Sequence, residues 1–289
     1  MQKRSIVNSP GVQELKRKKH QVLKTKIILY SIFFVLFVLG ISFSFRINKF
    51  IINEIRVSGN IVVDTKSIED VVRSDMNGYY AWIFPKTNFV IYPKNKILRD
   101  LSQKYKRLKN ISLNVVNFKT LEISVKEYDG KYLWCGNVVP ELDNQTEQNC
   151  YFMDSNGYIF DKAPFFSGEI YLKFYGSISN GEDPSGNYYN PLVFAKLITL
   201  KENLEKTNLK PSYIWINSQN EVSIGLSKLG IASVNPLILF KLDSDYEKIA
   251  ENLQAAITTE PLQKKLKENY GSLLYIDLRY GNKVYYKFQ

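Results

Sequence analysis

The chain has 289 residues, of which 45% are hydrophobic and 23% charged, with a net charge of +11. That composition excludes a wholly disordered chain, and the length allows one or two domains with real cores. Residues 1–26 hold eight lysines and arginines against Glu14 alone, so +7 of the charge belongs to the tail and +4 to all that follows, which excludes the body as a polyanion binder on charge grounds.

Residues 27–45, IILYSIFFVLFVLGISFSF, carry no charge. As a helix they reach about 28 Å, close to a hydrocarbon core of about 30 Å. A buried soluble helix is the competing reading, but such helices rarely stay uncharged for so long. A cleaved signal peptide would carry a shorter apolar run and end at small residues, whereas here Ser42–Phe45 runs straight into Arg46. A transmembrane helix is therefore expected over 27–45. The lysines and arginines crowd ahead of it, with only Arg46 and Lys49 just beyond. The positive-inside rule then places the N-terminus in the cytoplasm and residues 46–289 outside. The basic tail can also touch anionic lipid.

Residues 52–60 read as a strand ending in a Ser-Gly-Asn turn. Asp64 can cap a helix with Ile68, Val71, Val72 and Met76 on one face, stopped by Asn77-Gly78. The aromatic stretch 79–84 is ambiguous and suits an irregular connection. A second helix begins near Pro93, with Ile97, Leu98, Leu101 and Tyr105 in its apolar stripe. Strands follow at 111–117 and 120–127, the latter with Leu121, Ile123 and Val125 inward. The order β-α-α-β-β lets two amphipathic helices cover one face of a three-stranded sheet. This is the layout of a POTRA module, a small domain that binds polypeptide.

Beyond residue 127 the pattern turns to strands and loops. Strands are expected at 131–136, 150–153, 158–160 and 168–174, with the polar loop 140–149 between the first two and an Asp154-Ser155-Asn156-Gly157 turn before the third. A Gly-, Asn- and Ser-rich loop spans 175–190. Val193, Leu197, Leu200 and Leu204 then line a helix. Strands are expected at 213–217, 221–226 and 230–234. Ser244-Asp245-Tyr246-Glu247 has the form of a capping box opening a helix with Ile249, Leu253, Ala256 and Ile257 inward, and a further helix is expected near 262–268. The chain ends in a hairpin, 273–280 and 283–288 around Gly281-Asn282, with Leu274, Ile276 and Leu278 alternating with Tyr275, Asp277 and Arg279. The fold class is α+β, divided into a tail (1–26), a membrane helix (27–45), a POTRA-like domain (50–127) and a β-rich domain (128–289).

Chemistry-bearing patterns are sparse. The single histidine, His20, lies in the tail, so the body lacks the commonest general base and metal ligand. The chain carries no Walker loop, no G-x-G-x-x-G and no G-x-S-x-G. No catalytic residue, cofactor or metal is expected, and neither nucleic acid nor a small-molecule substrate is an expected partner. Cys135 and Cys150 lie on the two arms of one strand-loop-strand unit outside the reducing cytoplasm, so a disulfide closing that loop is expected, two buried free thiols being the competing reading. Asn110-Ile111-Ser112 and Asn144-Gln145-Thr146 match the glycosylation sequon.

Four segments taken in order behind the signal anchor resemble the FtsQ/DivIB family of bacterial cell-division proteins: EIRVSGN at 54–60, TLEISVKE at 120–127, YFMDSNGYIF at 151–160 and YIDLRYGNKVYYKF at 275–288. The resemblance implies a single-pass scaffold of the divisome, without enzyme activity, enriched at the septum. It implies FtsB/DivIC-like and FtsL-like bitopic proteins as partners. The family docks its FtsB/DivIC-like partner on the terminal hairpin, which here corresponds to Arg279, Tyr280, Val284, Tyr285, Tyr286 and Phe288. A POTRA-bearing transport or secretion accessory of the envelope is the alternative, but such proteins usually carry repeated POTRA units or a barrel.

Overall fold

A computed structural model describes residues 10–140, 149–178, 183–228 and 235–289. The start of the basic tail, most of the loop 140–149 with its Asn144-Gln145-Thr146 sequon, part of the loop 175–190 and the expected strand 230–234 lie outside the described residues.

The chain is mixed α+β. It opens with one long helix, α1 (Pro10–Phe45), which is long and apolar enough to cross a membrane. Its 36 residues reach about 54 Å, and only 6% of its apolar window is buried within the protein. The chain clusters into two compact units, one made of residues through Lys104, α1 included, with Asn110–Lys126, the other of Tyr105–Lys109 with Glu127–Gln289.

In the first unit the order is β1 (Glu54–Ser58), α2 (Thr65–Asp75), β2 (Tyr79–Tyr80), β3 (Phe84–Pro85), α3 (Lys94–Lys104), β4 (Leu108–Val116) and β5 (Thr120–Glu127). β5 lies between β1 and β4, and β1 runs parallel to it with Ile55 beside Leu121 and Val57 beside Ile123. Asp64 caps α2 by accepting the Ser67 amide at 2.9 Å. The stripe of that helix buries Ile68 and Val72, and α3 buries Ile97 and Leu101, all completely. α2 packs on both α3 and β1. The Lys96 ammonium joins the two helices, donating to Asp75 at the end of α2 and to Asp100 one turn along α3. Alternation along β5 buries Leu121, Ile123 and Val125. The stretch 79–84 forms most of a small hairpin, β2 pairing with β3.

The second unit is built on one mixed sheet. Its strands are β6 (Tyr132–Trp134), β7 (Tyr151–Met153), β8 (Ile159–Lys162), β9 (Lys173–Tyr175), β10 (Pro211–Ile216), β11 (Glu221–Leu226), β12 (Leu237–Lys241), β13 (Leu273–Tyr280) and β14 (Lys283–Phe288). They are ordered β14-β13-β12-β11-β10-β9-β6-β7-β8. Helices α4 (Pro191–Lys206), α5 (Tyr246–Thr258) and α6 (Leu262–Asn269) pack on one face. There Leu197, Leu200, Ile249, Leu253 and Leu262 meet Phe174, Ile214, Ile224, Phe240 and Ile276. Each such fully buried side chain contributes about 1.5–3 kcal/mol. Strand alternation turns Leu133, Cys135, Tyr213 and Trp215 to the other face. A smaller cluster forms there around a disulfide between Cys135 and Cys150.

Several expectations need correction. The strand expected over 168–174 is confined to Lys173–Tyr175, because Gly168 takes φ +80°, a left-handed backbone that cannot continue a ladder. The helix cap is Asp245 rather than Ser244, since its carboxylate accepts the Glu247 and Lys248 amides at 3.0 and 3.4 Å. β12 went unread. It is paired on both sides, and its run LILF is apolar throughout, although only Ile238 and Phe240 are buried while Leu237 and Leu239 are half-buried. The unit boundary falls near residue 127, but Tyr105–Lys109 belongs with the second unit. There Arg107 donates to Asp161 at 2.5 Å, and its guanidinium lies 4.9 Å from the Phe160 ring centre.

Candidate functional site

A nine-stranded open sheet has two edges, and the fold treats them differently. At β8 the edge is covered by the protein itself. Ile159 donates its amide to Asn187 O at 2.9 Å, Gly186 donates to Ile159 O at 2.8 Å, and Tyr189 donates to Gly157 O at 2.9 Å. A Tyr158–Tyr188 bridge continues the cover. The Asp154 turn holds this arrangement in place, its Oδ1 accepting the Asn156 and Tyr158 amides, each at 2.8 Å.

The opposite edge, β14, pairs with β13 and with no other strand among the described residues. Its register sets Tyr286 beside Ile276 and Tyr285 beside Asp277. Val284, Tyr286 and Phe288 are half-buried against the core under α5 and α6. Lys265 of α6 lies 5.7 Å from the ring centres of both Tyr286 and Phe288. Asn252 of α5 donates to Gly281 O at 3.2 Å and ties down the turn. On the other face Lys283, Tyr285 and Lys287 are exposed. An edge strand directs part of its backbone N–H and C=O groups away from the sheet, where a further strand can take them up.

The six hairpin residues singled out from the sequence therefore fall into three environments. Tyr280 and Tyr285 are 59% and 50% exposed and meet edge to face with ring centres 5.4 Å apart. Val284, Tyr286 and Phe288 face the core. Arg279 is held by its own sheet. Its Nε and Nη2 donate to the two oxygens of Asp277 at 2.9 and 2.7 Å, and Nη1 donates to Glu221 on β11 at 2.8 Å. Its guanidinium also lies 5.9 Å from the Tyr280 ring centre.

Asp277, which alternates with Ile276 and Leu278 in the sequence, is nevertheless buried, at 5% exposed. Irregularities in the β13–β14 pairing at 273–275 and 277–280 disturb the simple alternation. Burial by itself would raise the Asp277 carboxyl, but hydrogen bonds from the Arg279 side chain and amide, with its charge, hold it below the ordinary value. Hydrogen bonds from Arg279 and then Asn217 lower Glu221 too. Arg279 is pushed up, first by its bonds to Asp277 and then by those to Glu221.

No family model and no curated protein matches the chain. The geometry is that of a sheet edge left without a second neighbour among the described residues. An aromatic pair stands beside an open strand, and an ion-paired arginine braces the hairpin behind it. The sequence pointed to the hairpin but missed Glu221, for which it carries no signal, because β11 and β13 meet across β12 only in the folded sheet. The second unit also has a surface cleft of about 510 Å³ lined in part by Lys196, Asn203, Asp245 and Glu247. The Asp245 carboxylate in it is already taken by the amides of α5.

Proposed function

We propose that this chain is a bitopic membrane scaffold of the bacterial divisome, with its N-terminus cytoplasmic and its two units outside, recruiting division proteins through protein–protein contacts. The observation that carries this reading is the β14 edge. It pairs with no strand but β13 among the described residues, it presents Tyr285 beside Tyr280 of β13, and it lies where the FtsQ/DivIB resemblance puts partner docking. The apolar α1 and the β-α-α-β-β framework of the first unit, with β1 parallel to β5, support the anchor and the POTRA-like domain of the same reading.

The mechanism is strand addition. A segment of an FtsB/DivIC-like protein, itself associated with an FtsL-like one, lies along β14 and takes up its outward backbone groups. Main-chain bonds supply affinity and the tyrosine pair supplies side-chain contact. The test is binding of the full chain in lipid nanodiscs to an FtsB/DivIC-like partner, read by calorimetry, together with a fluorescent fusion in dividing cells. Saturable binding and mid-cell enrichment are expected. A fusion spread evenly around the envelope would sink the reading.

A further inference from the structure

The β2–β3 hairpin belongs to the first unit, and its aromatic tip is exposed. At the tip Ala81 and Trp82 adopt left-handed backbone, φ +46° and +63°, a conformation rare for a bulky aromatic residue. Trp82 stands 92% exposed, with Tyr79 at 53% and Tyr80 at 39%.

This tip is fastened to the last turns of α1. Ser42 Oγ donates to Ile83 O at 3.3 Å, and Arg46 Nη2 donates to the same carbonyl at 3.4 Å. The Phe45 and Phe84 rings meet edge on at 5.6 Å, and Asn88 Nδ2 donates to Phe45 O at 3.1 Å. Ser42 is buried by these contacts, whereas nearly all of the apolar window around it is bare. Ser42 lies three residues before the end of the uncharged run, so the tip reaches about 5 Å inside that end of the helix. Trp and Tyr collect at this level of a bilayer, where a ring can bury its apolar body and keep its polar atom wet.

The charge pattern agrees. Residues 76–99 contain no Asp or Glu. Arg46 lies 5.6 Å from the Tyr79 ring centre and Lys86 lies 5.7 Å from that of Tyr80, which puts cations beside the rings at the level of lipid phosphates.

We infer that Tyr79, Tyr80 and Trp82 form a second membrane contact, inserted into the interfacial layer of the bilayer that α1 crosses, on the side where that helix ends. This rests on residues 27–45 spanning the bilayer. A second point of attachment holds the first unit at the lipid surface, where a single tether would let it swing.

The experiment reconstitutes the full chain into phosphatidylcholine–phosphatidylglycerol vesicles whose acyl chains carry bromine near the headgroup. Trp82→Phe, at an exposed site, is prepared in parallel. Because the chain has three tryptophans, the wild type should lose on the order of a third more of its tryptophan emission to bromine than Trp82→Phe does. Bromine near the acyl terminus should quench less. Equal quenching of wild type and variant in protein that floats with the vesicles would overturn the hairpin contact alone. Protein that fails to float would overturn the membrane anchor, and the contact with it.

Discussion

Arg279 and Asp277 form a two-pronged ion pair within one strand, with Nε–Oδ1 at 2.9 Å and Nη2–Oδ2 at 2.7 Å. The carboxylate is buried and the guanidinium is its main compensation. Removing Arg279 leaves a buried charge unpaired, which costs about 3 kcal/mol. Arg279→Ala should therefore lower the melting temperature of the full chain in detergent by several degrees. Arg279→Lys should fall between, because an ammonium cannot reproduce the fork. An Arg279→Ala protein melting with the wild type would refute the brace.

Tyr285 should behave in the opposite way. Its ring is half exposed and touches Tyr280, so Tyr285→Asp should change stability by no more than about 0.5 kcal/mol. Affinity for an FtsB/DivIC-like partner should fall about tenfold, or about 1.4 kcal/mol. Calorimetry separates the two effects, and unchanged affinity would count against docking at β14.

The same cluster sets an acid limit. Asp277 and Glu221 both have native pKa values lowered from 3.8 and 4.5. Their stabilisation is complete above those ordinary values and is lost as pH falls through the lowered native ones. Unfolding midpoints should be flat near neutrality and drop below about pH 4. In Arg279→Ala that acid-dependent loss should shrink, and identical pH profiles would show that the cluster is not its source.

The disulfide joins residues 15 apart, and both cysteines are buried. In the chain-entropy model closing such a loop stabilises by about 3 kcal/mol. A Cys135→Ala, Cys150→Ala double variant should lose about that much, plus whatever the smaller side chains forfeit in packing. Reductant should shift the melting curve of the wild type and leave that of the double variant alone. A wild-type curve insensitive to complete reduction would remove the disulfide from the account of stability.

Gly59 has φ +85°, and a Cβ there would lie 2.1 Å from the Val125 carbonyl oxygen on β5. A backbone oxygen in a paired strand has little room to yield. Gly59→Ala should cost about 2 kcal/mol or more through strain and clash together. A variant as stable as the wild type in urea would contradict the close approach of this turn to β5.

Periodic segments were legible locally. The α2 stripe, β5 and the terminal hairpin each announce themselves, because a half-buried element repeats its apolar residues at its own geometric period. The uncharged run at 27–45 is a property of composition and needs no partner to be recognised. β12 was hidden, since its four consecutive apolar residues, LILF, show no alternation in the sequence although only Ile238 and Phe240 among them are buried. The burial of Asp277 is equally invisible in the alternation, because irregular pairing and an arginine two residues on decide it.

Which edge stays open was beyond any local pattern. β8 and β14 are both short strands that follow a turn, and the return of residues 186–189 along β8 distinguishes them. Helix formation, strand alternation and membrane-spanning length follow from forces between residues close along the chain. The closing of one edge, the clasp of Glu221 on Arg279 and the seating of the Trp82 hairpin beside α1 join residues tens of positions apart, and only the packed chain brings those groups within hydrogen-bonding reach.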